Sequence, residues 1–196
     1  MTLVSIVQAG APVLRERAVE VTRDRIATAE FQSLVDRMIA VMRAATGVGL
    51  AGPQIDAALR VIVLEDTETV VAQLTEAERR ERERAPFPLR VFVNPLLRPV
   101  GEERTTFFEG CLSLPGYVGL VERSLAIEVE GLDRHGAPQS WRVRGWPARI
   151  LQHEIDHLDG ILYVDRMVSR SFMTLDNAKA RYAGKPIAEV RRLLGV

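Results

Sequence analysis

Residues 150–160 read I-L-Q-H-E-I-D-H-L-D-G and place two histidines, His153 and His157, four positions apart. In an α-helix of about 3.6 residues per turn, two residues at this spacing lie on one face. Two neutral imidazoles arranged in this way can bind one metal ion, and Glu154 between them can act as a general base toward water. The stretch therefore predicts a helix that carries a hydrolytic metal site, although H-E-x-x-H also occurs by chance in ordinary helices.

The residues before this stretch indicate where the helix begins and what lies beside the metal. Pro147 follows Gly145 and Trp146, and proline is favoured in the first turn of a helix. Trp146, Ile150 and the two histidines recur at four, three and four positions, so they share one helical stripe. Trp146 and Ile150 could line an apolar pocket next to the metal, or they could simply pack in the core.

A structural or catalytic metal site of this kind needs a third protein ligand. Metzincin proteases supply a histidine at the position that Tyr163 occupies here, and Glu189, the only glutamate after Glu154, has no motif around it. Cys111, the only cysteine, lies upstream in E-G-C-L-S-L-P-G at residues 109–116. A lone cysteine is more often a buried apolar residue, but among glycines and a proline its thiolate could face a cleft.

Length and composition limit the class of protein. The 196 residues suggest one domain, residues 1–196, and 47% apolar with 27% charged residues is ordinary for a globular chain. The formal net charge of zero gives no indication of binding to nucleic acid or to an anionic membrane. A single cysteine excludes an internal disulfide, and no apolar stretch approaches the roughly 20 residues that span a bilayer. These features favour a cytoplasmic enzyme.

Periodicity predicts a helix near the amino terminus and strands in the middle of the chain. After an extended arm over residues 1–26, apolar residues recur at helical spacing over residues 29–45, and Gly47 is a suitable helix stop. Strands are predicted over residues 60–65 and 89–94, and a hairpin joins residues 125–130 and 139–144 with His135 in its surface turn. Because the strands do not alternate with helices, the class is α+β with largely antiparallel sheets.

The remaining segments are harder to assign. Residues 76–84 read E-A-E-R-R-E-R-E-R, whose mixed charges predict a solvated helix or a mobile loop. Residues 161–164 resemble a last strand, residues 171–184 are mixed, and residues 186–194 have the spacing of a short carboxy-terminal helix.

Residues 47–54 read G-V-G-L-A-G-P-Q and also match the G-x-G-x-x-G pattern of dinucleotide-binding proteins. That pattern requires a preceding strand and a following helix, whereas here a helix precedes it and Pro53 follows it. We therefore interpret the stretch as a loop in which glycines allow another backbone to approach closely. Gln54 could direct its amide into a site, or it could be an ordinary surface glutamine.

Taken with residues 109–116 and 152–160, this loop resembles the three motifs of peptide deformylases, in the same order along the chain. Gly52 stands where that family usually has alanine. The resemblance implies an α+β fold with largely antiparallel sheets packed around the motif helix, together with an amino-terminal and a carboxy-terminal helix.

The resemblance also implies an activity and a set of site residues. The reaction would be hydrolytic removal of the formyl group from the N-terminal N-formylmethionine of new polypeptides, with release of formate. Cys111, His153 and His157 would hold one divalent ion, ferrous iron in the cell, with zinc, nickel or cobalt able to occupy the same site. Glu154 would be the general base, and Gln54 and the backbone N–H of Leu112 would donate to the oxyanion. The residues expected to contact substrate are Val48, Gly49, Gly110, Trp146 and Ile150.

Two alternative functions and a cellular location are also predicted from the sequence. A zinc peptidase would predict a third ligand downstream of the helix, and a non-catalytic peptide-binding protein would be expected to lack Glu154 or one of the ligands. Residues 86–95 and 145–154 resemble the deformylase branch that includes organellar forms. The absence of an Arg/Ser-rich transit segment nevertheless favours a bacterial cytoplasmic protein that would meet nascent chains near the ribosome.

Overall fold

The computed structural model describes residues 5–196 and contains two antiparallel sheets with α-helices between and around them. The strands are β1 (Gly49–Ala51), β2 (Val61–Asp66), β3 (Phe87–Pro99), β4 (Arg104–Cys111), β5 (Leu114–Ser124), β6 (Ala126–Leu132), β7 (Pro138–Arg144) and β8 (Met173–Thr174). The α-helices are α1 (Arg23–Ile26), α2 (Ala29–Ala44), α3 (Glu68–Val71), α4 (Glu76–Glu81), α5 (Trp146–Leu158), α6 (Tyr163–Arg166), α7 (Leu175–Tyr182) and α8 (Ile187–Leu194). No helix within residues 5–196 is long and apolar enough to cross a membrane.

Helix α5, which carries the two histidines, lies between the sheets. The five-stranded sheet has the order β1-β2-β3-β6-β7, and the three-stranded sheet has the order β4-β5-β8. Helix α5 contacts all strands of the first sheet and β5 of the second. The predicted class is confirmed: the fold is α+β, with antiparallel sheets around the motif helix and helices toward both ends of the chain.

Helix α2 forms where its periodicity predicts and differs only in how it ends. The Thr28 hydroxyl accepts a hydrogen bond from Phe31 N at 3.2 Å, which caps the helix start. Its apolar stripe is buried against the five-stranded sheet. The left-handed residue that ends the helix is Thr46, with φ of 53°, rather than Gly47, whose N–H returns to Met42 O at 2.9 Å.

The predicted central strands are confirmed, and β3 is longer than its apolar run suggests. It continues through Asn94, which has φ of 51°, and Pro95, and the pairing with β6 shifts register between Val93 and Leu96. Such a bulge accommodates a proline that could not donate to a regular ladder. Strands β6 and β7 form the predicted hairpin, with His135 exposed in the turn.

The strand predicted over residues 161–164 is wrong, because Tyr163 begins the short helix α6. The Asp165 carboxylate accepts a hydrogen bond from Leu162 N at 2.8 Å and thereby caps this turn. Tyr163 is 1% exposed, and a buried side chain fits either a strand or a helix. The cap therefore accounts for the helical conformation. The mixed segment beyond it contains β8 and α7, and the predicted carboxy-terminal helix is confirmed as α8.

The charged segment over residues 76–84 and the described part of the amino-terminal arm also have defined conformations. The charged run forms α4, which buries no side chain and begins with a capping box between Thr75 and Glu78. The Ile187 N–H at the start of α8 donates to Glu81 at 2.7 Å, so the two helices meet. The predicted amino-terminal arm contains a 3₁₀ turn at Pro12–Leu14 and α1, while its residues 1–4 lie outside the described residues.

Candidate active site

Helix α5 and the end of β4 bring together the three predicted metal ligands. The ligand atoms of Cys111, His153 and His157 all lie within 4.8 Å of one another. Cys111 Sγ is 3.2 Å from His157 Nε2. One thiolate and two imidazoles are a donor set suited to a divalent transition metal, and three protein ligands leave a further position open for catalysis.

A buried carboxylate that the sequence reasoning missed orients the first of these histidines. Glu109 Oε2 lies 2.9 Å from His153 Nδ1, which leaves Nε2 for the cluster. Glu109 also accepts two hydrogen bonds from Arg123, each of 3.0 Å, and one of 2.7 Å from Arg149. Arg123 continues the network to Asp156. The sequence offered a signal, because Glu109 belongs to the cysteine motif and Arg149 lies one helical turn before His153.

Burial and neighbouring charges lower the pKa values of Glu109 and His157 and raise the pKa of His153. Burial opposes ionisation of Glu109, but hydrogen bonds from His153 and Arg123 outweigh it and hold the Glu109 pKa well below its ordinary value. Burial likewise disfavours the charged form of His153, yet its partners Cys111 and Glu109 raise its pKa well above the ordinary value. The pKa of His157 is lowered well below that value, first by burial and then by the neighbouring His153.

Glu154 is a buried carboxyl group with free hydrogen-bonding capacity. The residue is 5% exposed, and among residues 5–196 nothing donates a hydrogen bond to its Oε2. Burial is the main cause that raises its pKa to about 7. A buried, unpaired carboxylate is costly for folding, so its position next to the cluster indicates a functional role.

Two glycines of the first motif allow close contacts that a side chain would block. A Cβ at Gly49 would lie 2.4 Å from Glu154 Oε1, so a side chain there would displace the carboxylate. We expected this glycine to admit a substrate backbone, and the structure adds that it admits Glu154. At Gly52, where the resembling family has alanine, a Cβ would lie 2.6 Å from Leu59 O, so an alanine would require the backbone of this turn to shift.

Gln54 is not a surface glutamine, because it is 2% exposed and its amide is oriented at both ends. Its Oε1 accepts from Ala51 N at 2.9 Å. Its Nε2 donates to Ser113 Oγ at 3.3 Å and to Cys111 Sγ at 3.5 Å. The amide N–H groups therefore point toward Cys111 and Ser113, and donation to an oxyanion stays a prediction.

The amino-terminal arm holds the loops that carry Gln54 and Leu112. Val7 N donates to Gln54 O at 2.9 Å, and Ala9 N donates to Ser113 O at 2.7 Å. The Gln8 side chain donates to Leu112 O at 3.3 Å. Leu112 lies in the tight turn between β4 and β5, and the next N–H in this turn, from Ser113, donates to Cys111 Sγ at 3.4 Å.

A cavity of about 750 Å³ opens onto the cluster. Every predicted site residue except His157 lines it, and His157 is 1% exposed beside Cys111. Trp146 contributes an apolar wall, and the guanidinium groups of Arg82 and Arg84 each lie 5.2 Å from its ring. Among the lining residues that the sequence did not suggest are Phe108, Leu175 and Lys179, which carry no recognisable motif.

Comparison with known proteins agrees with this geometry. The family described as Polypeptide deformylase matches residues 3–172. The chain is 48% identical to "Peptide deformylase 1A, chloroplastic" of Solanum lycopersicum, over 88% of this chain and 62% of that protein. It is 48% identical to "Peptide deformylase 1" of Streptomyces coelicolor, over 85% of this chain and 74% of that protein.

Solved structures give the same result. The Met-Ala-Ser-bound crystal structure of class I type b peptide deformylase from Acinetobacter baumannii aligns with a TM-score of 0.74 and 32% identity, covering 85% of this chain and 100% of that one. The chain spans only 62% and 65% of the lengths of two plant relatives. With the motifs, the fold and the family match in agreement, the chain belongs to the peptide deformylase family.

Proposed function

We propose that this chain is a metal-dependent hydrolase that removes the formyl group from N-formylmethionine at the start of new polypeptides. The observation that carries the proposal is the unpaired, buried carboxylate of Glu154 beside the Cys111, His153 and His157 cluster, at the wall of one cavity. The relative from A. baumannii is described as Met-Ala-Ser-bound, and a peptide that begins with free methionine is the product expected here.

The three ligands would hold one divalent ion, which supplies Lewis-acid activation of the formyl oxygen and lowers the pKa of water. Glu154 accepts the proton of the attacking water and delivers it to the departing amine, so that the formamide C–N bond breaks and formate leaves. Its burial keeps competing solvent away from this proton. Gly49 contributes by leaving the carboxylate room at the cavity wall.

Gln54 and Leu112 are proposed to stabilise the negative charge that develops on the formyl oxygen. The Gln54 Nε2 is held in one orientation because its Oε1 accepts from Ala51 N at 2.9 Å. The N–H of Leu112 lies in the turn that Gln8 and Ala9 brace from the arm. Because Nε2 donates to Ser113 Oγ and Cys111 Sγ, the amide stays in place and directs one of these N–H groups to the formyl oxygen during the reaction.

The methionine side chain is proposed to occupy the apolar part of the cavity. Trp146 and Ile150 precede His153 on α5 and line this part, and Val48 faces the same cavity. Gly49 and Gly110 line the cavity and carry no side chain that would hold an extended peptide backbone away from them. The formyl carbon bears only hydrogen, so a narrow site beside the ligands excludes larger acyl groups.

Three finer proposals concern the cellular setting. We propose ferrous iron as the metal in the cell, with zinc, nickel or cobalt as replacements, because thiolate and imidazole ligands accept all four. We also propose a bacterial cytoplasmic location and an encounter with nascent chains near the ribosome. Metal analysis of protein purified without oxygen would test the first, since a ferrous thiolate site should be sensitive to oxidation.

The activity is tested by formate release from three peptides. Formyl-Met-Ala-Ser should release formate, whereas acetyl-Met-Ala-Ser and free Met-Ala-Ser should remain intact. Cleavage of the Met–Ala bond in the free peptide would favour the peptidase reading instead. Binding of the formyl peptide by metal-loaded protein without any formate would favour the non-catalytic reading.

A further inference from the structure

A segment beyond the family match forms part of the cavity wall. The match ends at residue 172, and β8 and α7 follow at once. Leu175 and Lys179, one helical turn apart on α7, line the same cavity as His153 and Glu154. This part of the wall is therefore supplied by residues outside the three motifs.

Contacts at both of its ends fix α7 against the cavity. Strand β8 pairs with β5 through Thr174 opposite Tyr117, and the Thr174 hydroxyl caps the helix. At the other end, the Tyr182 ring packs against Phe108 with centroids 6.0 Å apart. Lys179 lies between these anchors, so its position relative to the cavity is set by the fold.

An exposed apolar surface continues from the cavity along this wall. The rings of Tyr117 and Phe172 stack with centroids 5.1 Å apart and remain 43% and 42% exposed, and Leu175 is 38% exposed. Tyr117 and Leu175 also line the cavity, so the surface and the cavity are continuous. An extended peptide whose first residue occupies the cavity would leave along such a surface.

Lys179 differs from the other cations of the cavity wall in its lack of a partner. Arg84 makes two hydrogen bonds with Asp66, at 2.7 and 3.0 Å, and Arg149 donates to Glu109 at 2.7 Å. For Lys179, no carboxylate lies within ion-pair distance anywhere in the described chain from residue 5 onward. Its positive charge is therefore available to a ligand.

We propose that Lys179 is a specificity-determining residue that favours peptides with an acidic side chain in the three residues after the formylmethionine. The surface of Tyr117, Phe172 and Leu175 supports the peptide while the Lys179 ammonium attracts the carboxylate. This inference rests on the proposed deformylase function. Because Lys179 is exposed, the preference is about 2- to 5-fold, as for other exposed ion pairs, and it declines as salt screens the charge.

The test compares peptides that differ only in charge. Aspartate or asparagine is placed at the second, third or fourth residue of formyl-Met peptides that otherwise contain alanine and end in an amide, which removes the terminal carboxylate. The measured quantity is the aspartate-to-asparagine ratio of kcat/KM at low and high salt. Lys179→Met removes the charge but keeps the aliphatic stem, and Lys179→Glu reverses the charge. Arg181→Glu is the matched control, because Arg181 lies on the same helix, is exposed and does not line the cavity.

In the parent protein we expect an aspartate-to-asparagine ratio of about 2 to 5 at one of the three positions. The ratio should be close to 1 in Lys179→Met and below 1 in Lys179→Glu. Arg181→Glu should have the same ratio as the parent. A ratio of 1 at every position in the parent, or equal ratios in Lys179→Glu and Arg181→Glu, overturns the inference. Absence of formate from the asparagine peptides would instead refute the proposed function. In that case, calorimetric binding of the matching unformylated peptides decides the inference. The asparagine-to-aspartate ratio of Kd is then expected to be about 2 to 5 in the parent, close to 1 in Lys179→Met and below 1 in Lys179→Glu.

Discussion

Replacing Glu109 with glutamine tests whether the buried carboxylate supports both the fold and the metal site. Its side chain is 5% exposed and receives hydrogen bonds from Arg123, Arg149 and His153. Glutamine keeps the shape but removes the charge that offsets two buried guanidinium groups. Breaking a buried ion pair costs about 3–5 kcal/mol.

The expected loss of stability lies at the lower end of that range. Arg123 retains Asp156, and Arg149 retains the carbonyl oxygens of Val121 and Thr105 at 2.9 and 2.7 Å. We therefore expect Glu109→Gln to lower the free energy of unfolding by about 3 kcal/mol. For a chain of this length that corresponds to a fall in Tm of about 6–12 °C. Because the carboxylate that orients His153 is replaced by a neutral amide with a single acceptor oxygen, metal affinity should fall about 10- to 100-fold.

Urea unfolding of the metal-free proteins measures the first quantity, because bound metal would add its own change in affinity to the free energy of unfolding. Competition with a chromophoric chelator measures the second. Glu122→Gln is the matched control, because Glu122 pairs with Arg104 at 2.8 Å with both side chains more than half exposed, at 55% and 52%. Glu122→Gln should lower the free energy of unfolding by less than about 1 kcal/mol and leave metal affinity unchanged. Equal stability and equal metal affinity in the two variants would refute the role assigned to Glu109.

Four further substitutions address the proposed chemistry directly. Glu154→Gln should retain about one metal ion per chain but release formate about 10²- to 10⁴-fold more slowly, and a near-parental rate would contradict a general-base role. Gln54→Ala should keep the metal and lower kcat by about 10²- to 10³-fold; an unchanged kcat would remove Gln54 from the oxyanion site. Cys111→Ala should lose the metal, and full occupancy by elemental analysis would exclude the Cys/His/His site. Gly49→Ala should retain the metal but lower kcat about 10²-fold, because its Cβ would displace Glu154, and crystallographic superposition of that carboxylate on the parent would refute this.

Patterns that act within a few residues were sufficient for much of the fold and for the centre of the site. The i, i+4 histidines, the stripe of α2 and the hairpin of β6 and β7 all depend on local periodicity or turn chemistry, which a sequence displays directly. The three motifs identified the family on the same basis. The incorrect prediction of a strand over residues 161–164 also has a local cause. A single cap by Asp165 favours the helix over the strand that the short apolar run suggested.

Only the tertiary structure decided which distant groups meet. The pairing of Glu109 with His153 and Arg123 depends on β4, β5 and α5 packing together, and no spacing in the sequence encodes that contact. The burial of Gln54 likewise follows from the arm and the β4–β5 turn closing over it. Lys179 reaches the cavity because β8 anchors α7 to β5. Periodicity reports which face of an element is buried, whereas chemistry at a site depends on which other element covers that face.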